Sequence, residues 1–101
     1  MKTQEYLVTF NISPRIEEAF VDCLLTFEAE QGFSSFPIRA HDHKNQNLSI
    51  SEQVTGRQDQ IRFQMYIPQQ ALEELINTLK TEFSGSGVNY WVLPVIEQGC
   101  F

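Results

Sequence analysis

Apolar and polar positions alternate along this chain in two rhythms, and the pair of rhythms occurs twice. In Glu5 to Ile12 (EYLVTFNI), Tyr6, Val8, Phe10 and Ile12 alternate with Leu7, Thr9 and Asn11. A period of two predicts a strand with one fully apolar face and one mixed face. Ser13-Pro14 follows. Serine is a favoured N-cap, and proline at the first helical position loses no hydrogen bond the helix could have made. From there Ile16, Ala19, Phe20, Cys23, Leu24 and Phe27 recur at helical spacing and form one stripe. Glu17 and Glu18 suit the positive end of that helix, and Gly32 is placed to stop it.

Phe33 to His41 (FSSFPIRAH) predicts the second strand, with Phe36, Ile38 and Ala40 on one face and Pro37 on the other. Proline cannot donate to a ladder, so this strand belongs at a sheet edge. Ile61, Phe63, Met65 and Ile67 alternate with Arg62, Gln64 and Tyr66 in a third strand. Pro68 opens a second helix at its first position. Leu72, Leu75, Ile76, Leu79 and Phe83 are its stripe, and Ser84-Gly85-Ser86-Gly87 its exit. Val88 to Leu93 is a fourth strand stopped by Pro94, and Val95 to Phe101 is a tail.

The order is βαββαβ, one domain over residues 1–101, and each half is a βαβ unit. Right-handed crossovers then give an α+β, ferredoxin-like fold: a four-stranded antiparallel sheet with two helices on one face. The first and third strands are central, and Pro37 and Pro94 fall on the edges. The uncovered face carries Leu7, Thr9, Asn11, Gln64, Tyr66, Trp91 and Leu93. That is too apolar to stand in water comfortably and predicts a subunit interface.

Between the second and third strands lies a polar stretch, His41 to Gln60, without the rhythm of its neighbours. A loop of that length in a compact domain is usually functional or disordered, and this one is the candidate working part. His41 and His43 flank Asp42 where the second strand ends. Two imidazoles and a carboxylate are ligands for zinc, nickel or copper, and alternate strand positions share a face. Glu52, Asp59 or Cys100 are the residues available to complete such a divalent-metal site. Arg57 and Arg62 are candidates for a carboxylate or phosphate. Leu48, Ile50 and Val54, with Glu52 among them, are candidate partner contacts.

Charge and composition narrow this further. The formal charge is −6 with only seven Lys plus Arg, so no basic stripe exists for nucleic acid. No apolar run approaches the length of a membrane helix, and MKTQEYLVTF has no signal-peptide layout, so the expected compartment is the cytoplasm. Cys23 sits on an apolar stripe and Cys100 in the tail, with neither disulfide framework nor CxxC metal spacing. No nucleophile has a base beside it. The loop serines lack a GxSxG context, the Glu-Glu pairs belong to helix starts, and the Gly-rich turn follows a helix instead of opening one. An enzyme using the space between sheet and helices would need a polar group there, and both stripes are apolar. The expectation is therefore a protein that is not an enzyme.

The chain resembles the PII signalling superfamily. More narrowly it resembles a PII-like family of uncharacterised function often encoded beside heavy-metal efflux pumps. Gly32-Phe33-Ser34-Ser35-Phe36-Pro37, Leu48 to Val54 with Gly56-Arg57, Ile61 to Met65, and Tyr90 to Val95 carry the likeness. It implies a PII-like homotrimer with sheets facing the centre. The long loops project as partner-binding arms, and small effectors bind in clefts between subunits. It further implies a non-enzymatic regulator, linked to metal resistance, whose loop acts on a membrane efflux transporter. His41 and His43 would be metal ligands and Arg57 and Arg62 anion contacts. At two points the chain departs from PII proteins. The loop has no tyrosine to modify. Phe83 to Val88 has no Lys or Arg to grip phosphate, which sets nucleotide behind metal as the effector. A nucleotide or anion sensor at the subunit clefts remains the alternative.

Overall fold

The structure is a computed structural model in which residues 4–27, 32–41 and 57–101 are described, Arg57 by its backbone alone. Its elements are β1 (Glu5–Ile12), a 3-10 turn (Pro14–Ile16), α1 (Glu17–Leu24), β2 (Phe33–His41), β3 (Arg57–Pro68), α2 (Gln69–Glu82) and β4 (Asn89–Pro94). The sheet order is β2-β3-β1-β4, and every neighbouring pair is antiparallel. This is the expected α+β, ferredoxin-like fold, with Pro37 and Pro94 on edge strands.

Both helices cover the face that presents Val8, Phe10, Ile12, Phe63, Met65 and Ile67. Phe20 and Leu24 of α1 and Leu75 and Leu79 of α2 close this core. Phe20 is its centre: its ring lies 5.2 Å from Phe10 and 5.1 Å from both Phe63 and Phe83. Aromatic pairs at such distances add to the area they bury.

Several local details depart from the periodic reading. Ser13 does cap, accepting from the Arg15 N–H at 3.3 Å, but Pro14 opens a 3-10 turn and the α-helix starts only at Glu17. Of the expected stripe Ala19 is exposed, while Val21 packs against the core beside Ile16, Cys23 and Phe27. Pro68 is the N-cap of α2 and not its first residue; the Gln69 N–H that follows donates to the Gln4 carbonyl at 2.9 Å. Gly32, at φ +67°, turns the chain into β2, while α1 has already ended at Leu24.

The largest difference concerns β3. It begins at Arg57, so the connection between β2 and β3 is residues 42–56 and not 41–60. Polar residues 57–60 join the strand because ladder hydrogen bonds come from the backbone, whatever the side chains. Ile38, Arg39, Ala40 and His41 pair with Gln60, Asp59, Gln58 and Arg57, whereas β1 pairs with β3 only as far as Ile61. These four pairs form a two-stranded stem about 13 Å long beyond the body of the sheet. No helix among the described residues is long and apolar enough to cross a membrane.

Candidate functional site

Two places carry unusual chemistry: the stem, and the sheet face that the helices leave open. On that face the register aligns Leu7 with Leu93 and Tyr66, Thr9 with Trp91 and Gln64, and Asn11 with Asn89 and Arg62. It also puts Phe36 opposite Arg62 and Ile38 opposite Gln60. Phe36 and Ile38 thus belong to the open face and enlarge its apolar part. Trp91 is 37% exposed and Leu93 51%, with Phe36 and Tyr66 similarly open.

A polar network runs between these apolar groups. Arg62 Nε donates to Asn11 Oδ1 at 2.8 Å, and the guanidinium lies 5.3 Å from the Trp91 ring centroid. Gln64 Nε2 donates to Thr9 Oγ1 at 3.4 Å, and Thr9 itself is buried. A guanidinium fork held by an amide and an aromatic ring is a preorganised carboxylate or phosphate receptor.

His41 ends β2, exposed, at the tip of the stem opposite Arg57. Its proposed companion His43 lies outside the described residues, as do Leu48, Ile50, Glu52 and Val54. Asp59 is the cross-strand neighbour of Arg39. Cys100 follows β4, which ends beside Tyr6, at the other end of β1 from the stem. Among the described residues no three His, Cys, Asp or Glu groups come together as a metal site. Arg57 and Arg62 are five positions apart on a regular strand, about 17 Å, so the structure does not bring them together.

A third feature had no signal in the spacing of charges. A cleft of about 350 Å³ opens beside the exit of α2, with Phe10, Leu79, Phe83 and Tyr90 among its walls. Lys80 Nζ stands 5.8 Å from the Tyr90 ring centroid at this cleft. Gly85 and Gly87, at φ +78° and +81°, make the turn possible. The turn has no cation of its own, but the helix one turn earlier supplies one. The Cys23 thiol is pushed up from its ordinary value by burial and then by the nearby Glu82 carboxylate, which suits an inert packing residue.

A family model described as "Protein of unknown function (DUF3240)" matches residues 2–101. The chain belongs to the DUF3240 family. No curated protein matches it in sequence. Among solved structures, a DUF3240 family protein from Shewanella baltica OS155 is similar with a TM-score of 0.78 and 22% identity, over 100% of this chain and 99% of its own. CPII, a nitrogen regulatory PII-like protein from Thiomonas intermedia K12 bound to ADP, AMP and bicarbonate, has a TM-score of 0.71 and 10% identity, over 96% and 97% of the two chains. CutA from Synechococcus elongatus PCC7942, complexed with Bis-Tris, has a TM-score of 0.69 and 14% identity, over 94% and 83%. The DUF3240 chain therefore has the fold shared by PII-like signalling proteins and CutA.

Proposed function

We propose that this DUF3240 protein is a non-enzymatic regulator of the PII-like kind, a cytoplasmic homotrimer assembled through its open sheet faces. It responds to a divalent metal ion bound at the stem by His41 and His43. It acts through residues 42–56, with Leu48, Ile50, Glu52 and Val54 as contacts, on a membrane heavy-metal efflux transporter. The observation that carries this reading is the stem. Two paired strands run beyond the sheet and hold both ends of the 42–56 segment at one point, with an imidazole at the tip. A ligand bound there acts directly on the segment's entry and exit, where a small change in geometry has the longest lever. An open face with exposed Phe36, Trp91 and Leu93 supports assembly.

Native mass spectrometry with zinc, copper and nickel tests it. The expected result is a trimer that takes up metal on every chain, and a trimer of His41→Ala/His43→Ala that takes up none. Unchanged uptake in the double variant would remove the site assignment.

A second reading has its own support. CPII, which shares the fold, was solved with ADP, AMP and bicarbonate, and this chain holds cations at Arg62 and at Lys80 beside the glycine turn. An anion or nucleotide sensor at the subunit clefts, with Arg57 and Arg62 contributed by different copies, predicts a rise in melting temperature with ATP and none with metals.

A further inference from the structure

Among the described residues Arg62 has no counter-charge. The register sets only one of their acids on the open face, Glu5, opposite Pro68 and six positions along β1 from Asn11, about 20 Å away. Arg62 has its Nε on Asn11 and its guanidinium over Trp91, and no other bond among the described residues. Its two Nη groups keep their four N–H donors free. A half-buried guanidinium in this state is an invitation to a carboxylate, which would engage both Nη groups side by side. The Trp91 ring lies against it, so the group that delivers the carboxylate has to be apolar next to its charge.

Among the described residues, one segment has that composition and nothing to rest on. Val95 is the last residue tied to the domain, its N–H donating to the Glu5 carbonyl at 3.0 Å and its own carbonyl accepting from Gln4 Nε2 at 3.3 Å. After it Ile96 is 99% exposed, Glu97 is exposed, and residues 96–99 make no hydrogen bond among the described residues. This segment does not serve its own Arg62. Among the described residues Glu97 makes no ion pair or hydrogen bond with it.

We infer that the open face of one copy receives the 95–101 segment of a second copy, with Glu97 of that copy on the Arg62 fork and its Ile96 against Trp91. The inference rests on the assembly proposed above and specifies its contact. Face and segment are different surfaces, so the contact is head-to-tail. Repetition around an axis uses each face and each segment once and closes a ring.

Charge reversal on the full chain tests this. Arg62→Glu and Glu97→Arg should each weaken assembly roughly 30-fold or more, as loss of one partner of a desolvated pair does, and the double variant should recover most of that loss. Sedimentation measures assembly, and circular dichroism confirms that each variant folds. Single variants that assemble like the parent, or a double variant no better than either, overturn the contact while leaving an assembled parent, and so the regulator reading, intact. A parent that is monomeric at every concentration overturns both. Should Arg62→Glu fail to fold, a photo-crosslinking residue at position 96 in a mixture of isotope-labelled and unlabelled chains decides. Cross-links between copies onto the strands bearing Phe36 or Trp91 support the contact. Cross-links within one copy, or none onto that face, end it.

Discussion

The two faces of one sheet have been finished differently. The helix side is closed by side chains of the same chain: Phe10, Phe20 and Phe63 are fully buried, and no buried side-chain polar atom among the described residues lacks a partner. The other side has comparable aromatic content but interleaves it with Thr9, Asn11, Arg62 and Gln64, which bond to one another across the strands. A purely apolar surface of this size would stick to anything. The polar rows keep the face tolerable in water while restricting which surface can cover it. The first face provides stability, and the second is the one proposed to meet a partner.

That contrast can be broken by experiment. Phe20→Ala should remove about 3–5 kcal/mol of folding stability, since the ring fills the junction of α1, β1, β3 and the end of α2. Urea unfolding measures this, and a loss below about 1 kcal/mol would mean the helix side is not the stabilising one. Trp91→Ala should do the reverse. A residue already 37% exposed costs the single chain little, while assembly should weaken about tenfold or more. Equal losses in unfolding and in sedimentation would erase the distinction between the faces.

The smallest effect concerns the two thiols. Because burial and Glu82 raise the Cys23 value, its reactive thiolate forms at higher pH. Keeping the thiol neutral favours the fold below the ordinary thiol value, and that contribution is lost as pH rises through the raised one. At pH 8 the exposed Cys100 should therefore be alkylated several-fold faster than Cys23. Mass spectrometry of partly alkylated protein reads the order, and faster labelling of Cys23 would show that α1 opens readily.

Much of this architecture is written in short-range pattern. Alternation in EYLVTFNI and IRFQMYI, the stripes of both helices and the edge prolines are local properties, and each survives in the structure because packing agrees with it. Register is not local. Phe36 and Ile38 share a face in either case, but only their pairing with Arg62 and Gln60 says which face. The start of β3 at Arg57 was equally hidden, because a polar strand segment pairs by its backbone alone. The Arg62 cradle depended on Asn11 and Trp91, fifty-one and twenty-nine positions away, and no spacing along the chain links the three. His41 stands where its sequence position put it, at the end of a strand, but the alternation does not show that this strand projects past the sheet.

The position of β1 has a consequence for the making of the protein. Of the strands of this sheet it is the first to be made, and it ends in the middle, between β3 and β4. Its first neighbour emerges some fifty residues later, and its second, β4, only with the last strand. Until then Val8, Phe10 and Ile12 have no permanent place, and two open edges are exposed to other nascent chains. Conditions during synthesis therefore bear on yield alongside the stability of the finished domain.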